Sequence, residues 1–122
     1  NELAARVDAL LHLAIEAELA TPPSAPTDGQ AWLVAPSPSG DWAGQAGLIA
    51  ARTAGNWLFF APIAGMTLLN KATGQQLRFV TAWQSPAKPT LPAGGSTIDT
   101  EARSTISAIV AAMVVAGIVP AN

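Results

Sequence analysis

The pattern of residues 30–83 constrains the fold more than any other feature. Short apolar runs alternate there with Gly, Pro, Asn and Ser, which is typical of a compact antiparallel β unit. The apolar runs predict five strands, at residues 31–35, 48–52, 56–61, 66–70 and 76–82. The breaks predict turns, at residues 37–40, 54–56, 62–65 and 72–74.

The N-terminal segment has the periodicity of a helix. Its apolar residues recur at spacings of three and four, and charged residues occupy most of the remaining positions, which predicts an amphipathic helix. The helix should end near Ala20, because Pro22 and Pro23 remove two amide donors and bias the preceding backbone away from helix. The apolar positions are Leu3, Val7, Leu10, Leu11, Ala14 and Ile15.

A segment rich in Pro and Gly follows the β region and predicts an extended linker. A second helix should begin beyond it and stop at Gly117 and Pro120. The candidates for its N-terminal cap are Ser96, Thr97 and Asp99. The predicted parts are an N-terminal oligomerisation helix (1–20), an antiparallel β domain (21–83), a linker (84–98) and a C-terminal helix (99–119).

The second helix carries an apolar seam with alternating spacings of four and three. Isoleucine at adjacent a and d positions of such a heptad pattern favours three or more strands. The alternative is that the helix folds back onto its own β domain, with Val110, Val114 and Ile118 widening the buried face; the pattern leaves both readings open. The seam residues are Ala102, Ile106, Ile109, Met113 and Ala116.

The composition favours association with copies of the same chain. Half of the residues are hydrophobic and 11% are charged, whereas a soluble domain carries roughly a quarter charged residues.

The net charge of −2 is spread without runs, which argues against nucleic acid as a partner. The longest apolar run, residues 106–119, is shorter than the roughly 20 residues that span a bilayer. Since no Met or cationic leader precedes Asn1, we expect a fragment or processed product.

Few residues could support catalysis. Cysteine is absent, and His12 is the single histidine, so thiolate chemistry is excluded and any histidine-dependent site would rest on one side chain. We expect His12 to lie on a helix surface or at an interface without a chemical role. The alternative is a contact at a subunit interface that is sensitive to pH, because histidine changes charge near neutrality. Asp28 and Asp41 each adjoin a glycine, as turn-forming aspartates do. The sequence therefore predicts a protein without enzymatic activity, cofactor or metal.

Four tryptophans remain to be explained in a chain that has no tyrosine. We expect Trp32, Trp57 and Trp83 to pack in the core, where each removes a large area from water. Trp42 follows Asp41 in a polar turn, so the pair is a candidate glycan contact. An alternative function is therefore a carbohydrate-binding module that recognises capsule or cell-surface glycan.

The order of motifs over residues 1–83 resembles a phage-derived domain family of unassigned biochemical function. Each motif is weak alone, but their combination is specific. The motifs are Val7-Asp8-Ala9-Leu10, Thr21-Pro22-Pro23, Pro26-Thr27-Asp28-Gly29, Trp32-Leu33-Val34, Ser39-Gly40-Asp41-Trp42-Ala43-Gly44, Ile49-Ala50, Gly55-Asn56-Trp57, Pro62 and Gly65. Members of that family look like parts of tail fibres and head spikes in prophages and gene transfer agents. The resemblance offers no catalytic residues to carry over.

The resemblance implies a structural component of a phage-like particle, made in the bacterial cytoplasm and carried on the virion. The helices and strands predicted above make an α+β fold. Because appendage proteins of this kind are commonly trimers, we expect its helices to form a trimeric bundle. Its partners would be two copies of itself, other particle proteins and cell-surface polysaccharide. The predicted oligomer interface consists of Leu3, Val7, Leu10, Ala102, Ile106, Ile109 and Met113.

Overall fold

A computed structural model describes residues 1–11 and 13–122 and has an α+β fold. The expectation for His12 concerns a residue outside this described part. Within it the helices are α1 (Glu2–Leu11) and α2 (Thr100–Val115). The strands are β1 (Ala14–Ile15), β2 (Glu18–Leu19), β3 (Ala31–Val34), β4 (Ile49–Thr53), β5 (Asn56–Phe60), β6 (Thr67–Asn70), β7 (Gln75–Phe79) and β8 (Trp83–Gln84).

The five predicted strands are confirmed as β3 to β7, with changes at their ends. The conformation of the turn between β4 and β5 is specified by its local sequence. Ala54 and Gly55 both have positive φ, at 48° and 74°, as the central residues of a type I′ hairpin turn do. The carboxylate of Asp28 accepts the Gly55 N–H at 3.1 Å, so this aspartate has the structural role expected of it.

The strands form two sheets with the same internal order. Sheet A runs β1-β6-β7-β8 and sheet B runs β2-β3-β4-β5. In each sheet a two-residue strand pairs in parallel with the first strand of an antiparallel three-stranded meander. The meanders follow from the short turns, whereas the parallel strands come from a separate part of the chain.

Residues 13–19, the crossing segment, connect the two sheets. Leu13 and Ile15 accept hydrogen bonds from sheet A, and Glu16 and Ala17 bond to β3 of sheet B. The predicted helix boundary near Ala20 is therefore wrong, since α1 ends at Leu11. Extended backbone here supplies donors and acceptors to both sheets, which a helix would use internally. The Ile15 side chain is also fully buried.

The main core lies between the sheets, and a second apolar cluster covers the outer face of sheet B. Successive strand residues point to opposite faces, so β3 supplies both clusters. The inner cluster is formed by Ile15, Ala31, Leu33, Ile49, Ala51, Phe60, Leu68 and Leu77. The outer cluster is formed by Trp32, Val34, Trp42 and Ala50, with Ala17, Leu19, Trp57 and Phe59 at its margin.

Helix α2 has well-defined ends. Of the three predicted caps, Asp99 is the one at the N-cap position, where its carboxylate accepts the Ala102 N–H at 2.8 Å. At the other end Gly117 has φ of 70°, and the Ile118 N–H bonds to the Met113 carbonyl, as in a Schellman motif. Residues 85–99 contain no regular element and are exposed, consistent with a linker. No helix in the described ranges is long and apolar enough to cross a membrane.

Replacing Ile15 by Ala should lower the free energy of unfolding by about 2–5 kcal/mol, because it leaves a cavity between the two sheets. Urea denaturation measures this loss. The matched control is Ile63→Ala, since Ile63 is 69% exposed and its truncation should change stability by less than about 0.5 kcal/mol. Equal losses in the two variants would contradict the role assigned to the crossing segment.

Candidate assembly surface

Helix α2 is almost unpartnered within its own chain. Val110 is its one buried residue among those described. Ile106 and Ile109 are 43% and 55% exposed, and no charged residue follows Arg103 in the sequence. A helix with apolar or small side chains on nearly every side is normally buried. Helix α2 has such side chains but is largely exposed in the single chain.

The predicted seam forms one continuous stripe on α2. Ala102, Ile106 and Ile109 are exposed, and Met113 is half-buried. At 100° per residue these positions fall within one sector of the helix, and Val115, which is 90% exposed, lies on the opposite side. The fold-back alternative places three residues against the domain, of which Val110 is buried, Val114 half-buried and Ile118 exposed. The seam itself stays uncovered.

The C-terminal end of α2 is fixed to the β domain. Gln75, which is 4% exposed, donates from its side-chain amide to the carbonyls of Pro86 and Ile118, at 2.7 and 2.8 Å. Val119 is buried beside them. The Gln75 amide, which we call the Gln75 clamp, therefore joins the start of the linker to the chain just beyond the helix. The residues between them, 87–117, leave the β domain and return to it, and we call this segment the excursion.

The sequence did not single out Gln75, although it carried a signal. In the period-2 pattern of β7, Gln75 falls on the same face as Leu77 and Phe79. A polar side chain at such an inward position requires hydrogen-bond partners. The partners lie far along the chain. The pattern could therefore indicate that Gln75 forms hydrogen bonds, but it could not identify their acceptors.

Helix α1 presents a second apolar stripe. Leu3, Val7 and Leu10 are 69%, 51% and 41% exposed. Other sides of the helix contact the domain: Ala9 packs against the inner core, and the Arg6 guanidinium lies 5.3 Å from the centre of the Phe60 ring. The structure thus leaves all three predicted interface residues of α1 accessible.

The chain exposes more surface than a compact protein of its size. Its accessible area is 7485 Å², whereas a compact monomer of 12.4 kDa exposes about 6,100 Å². The surplus of about 1,400 Å² exceeds the roughly 800 Å² that one partner contributes to a standard protein interface. The projecting helix and the linker account for much of this surface, because most of their residues are exposed.

The expectation that Trp42 is available to a glycan is wrong. Trp42 is 0% exposed, and its ring packs against those of Trp57 and Trp32, with centroids 5.1 and 6.3 Å apart. Gly40, at a φ of 60°, begins the short 3-10 turn that lays the indole over sheet B. Asp41 remains exposed in that turn, without the neighbouring aromatic platform.

The other tryptophans differ in burial. Trp32 is 5% exposed, which confirms its predicted place in the core. Trp57 and Trp83 are half-buried and pack at the margins of the outer and inner clusters. The guanidinium of Arg52 lies 5.1 Å from the Trp57 ring centre, so a cation covers part of this indole.

A cavity of about 120 Å³ lies between α1 and sheet B. Asp8 is the one carboxylate among the described residues that line it, and Arg52 is the one cation. General acid-base hydrolysis of glycosides uses two carboxyl groups, which this cavity does not bring together. In the described ranges no three His, Cys, Asp or Glu residues are grouped to hold a metal ion.

Comparison with protein families gives one finding. A family model described as a protein of unknown function (DUF2793) matches residues 1–84. The match takes in α1 and both sheets and ends with β8. No curated protein matches the chain.

Replacing Gln75 by Leu should separate the two ends of the excursion from β7. The carbonyls of Pro86 and Ile118 lose their donor, so we expect a loss of about 1–3 kcal/mol in the free energy of unfolding. Amide hydrogen exchange at residues 117–121 should also speed up in the variant, whereas exchange in β3 and β4 should change less. Gln76→Leu is the matched control, because the Gln76 side chain is exposed. A similar response in both variants would contradict the proposed clamp.

Proposed function

This chain belongs to the DUF2793 family of proteins of unknown function, and we propose that it is a structural subunit of a phage-like particle that assembles into a homotrimer. The particle role is supported by the resemblance of the motifs in residues 1–83 to fibre and spike proteins. The assembly role is supported by the surfaces of α1 and α2. In this proposal the protein has a structural role and catalyses no reaction.

The surplus surface of the single chain carries the assembly proposal. About 1,400 Å² beyond the expectation for a compact monomer is close to what each chain buries when it meets two neighbours at standard interfaces. A monomer would leave Ile106 and Ile109 in water. Association removes that apolar surface from water, and the free-energy gain is about 25 cal/mol for each Å² buried.

The seam of α2 favours three copies over two. Ile106 and Ile109 occupy adjacent a and d positions, and such isoleucine layers favour three or more helices. The C-terminal end of α2 is held on the β domain by the Gln75 clamp, so each domain would present its helix from a fixed base. The α1 stripe of Leu3, Val7 and Leu10 supplies further apolar surface to the same assembly.

A trimer explains how such a small domain could serve attachment. Three linked copies turn later contacts into intramolecular events, so binding strength can exceed that of one site by about 10²- to 10⁴-fold. The β domains would then form the outward part of a fibre, spike or base, and other particle proteins would anchor it. Cell-surface polysaccharide is the proposed class of target for the assembled structure.

Light scattering of the purified chain should give a mass near 37 kDa, about three times the 12.4 kDa of one copy. Ile106→Asp should reduce the mass to one copy, because three buried carboxylates would meet at the axis. Val115→Asp is the matched control and should leave the trimer intact, since Val115 lies opposite the seam. A wild-type mass of one copy would refute the assembly proposal.

The particle role predicts that the chain copurifies with phage-like particles from the producing bacterium. Mass spectrometry of density-purified particles should detect it at a constant ratio to the major particle protein. Particles that lack the chain, in cells that express it, would contradict this role and leave the assembly proposal standing.

A further inference from the structure

A groove with aromatic walls lies at the edge of sheet A, beside β8. The Trp83 ring packs edge-to-face on Phe79 with centroids 5.3 Å apart, and its indole N–H donates to the Gly47 carbonyl at 3.2 Å. These contacts hold the indole between the sheet and the loop before β4. The groove has a volume of about 370 Å³.

The groove has the chemistry of a site for an apolar, extended peptide. Its lining consists of Ala46, Gly47, Leu48, Pro62, Phe79, Thr81, Ala82 and Trp83. These described residues bear no charge, and the apolar surface continues along the chain to Ile63 and Val80, which are 69% and 43% exposed. Aromatic-lined grooves of this kind recognise Pro-rich segments in the polyproline II conformation.

The chain contains such a segment in its linker. Pro86, Pro89 and Pro92 recur every third residue, and a polyproline II helix has three residues per turn. The three prolines therefore fall on one face of the segment when it adopts that conformation. Residues 85–95 are exposed and form no regular element, so the proline side chains are accessible in the single chain.

The segment is directed away from the groove of its own chain. Trp83 and Gln84 point to opposite faces of sheet A, because they are consecutive residues of one strand. The Pro86 carbonyl is held by Gln75, and the Lys88 ammonium donates to the Ala121 carbonyl at 2.9 Å. These contacts keep the start of the linker on the side of Gln84, beside Ile118.

We propose that the groove at Trp83 binds residues 86–92 of a second copy of this chain. Each copy gives one segment and receives one, so the contact is head-to-tail and can close into a ring of three. The surplus surface calculated for the single chain includes this exposed segment, and the exchange buries it. The proposal rests on the homotrimer proposed above and adds a contact between neighbouring β domains.

Disulfide trapping tests the exchange, since the natural chain has no cysteine. Thr81→Cys places a thiol at the groove and Thr90→Cys places one in the Pro-rich segment. Mixed and oxidised, the two variants should form a disulfide between chains. The yield should be at least roughly tenfold above that of Thr67→Cys with Thr90→Cys, because seating raises the local thiol concentration. Thr67 is exposed on the opposite face of sheet A.

A third comparison adds Pro89→Ala and Pro92→Ala to the Thr90→Cys chain, which should lower the yield without changing the mass. Light scattering on the same samples separates the two proposals. A trimeric mass with equal disulfide yields for Thr81→Cys and Thr67→Cys would overturn the groove contact alone. A mass of one copy would overturn both.

Discussion

The fold depends on the crossing segment, whose backbone bonds to both sheets. Without residues 13–19, each sheet would be a three-stranded meander with an open edge beside its first strand. The segment closes those edges in turn, because β1 pairs with β6 and β2 pairs with β3. Its one fully buried side chain, Ile15, lies between the layers. An ion pair of 2.7 Å between Glu16 and Lys71 adds a contact at the surface.

The sequence predicted strands β3 to β7 well and the crossing segment poorly, for a physical reason. The strands β3 to β7 are specified locally, by apolar runs and by turn residues such as Ala54 and Gly55. The two-residue strands β1, β2 and β8 are too short to show a period and exist through their partners. Leu13 to Leu19 also continue the helical spacing of α1, so hydrogen bonds to distant strands decide the conformation there.

The candidate surface was predicted in part. The exposed seam residues on α2 follow from spacing, and Asp99 was one of the three caps that the sequence offered. Trp42 was misjudged because neighbouring polar residues indicate a turn but not the direction of the side chain within it, which Gly40 sets. The Gln75 clamp and the Trp83 groove each join residues more than ten positions apart, and no local pattern specifies such pairs.

The closed base of the excursion has a consequence for how related chains can vary. Because Pro86 and Ile118 meet at one side chain, everything between them behaves as a loop whose ends are already together. Doubling such a loop adds only about 0.6 kcal/mol of closure entropy. Excursions of different length can therefore be joined to the same two sheets, and a foreign peptide inserted in the excursion would leave the order of the strands unchanged.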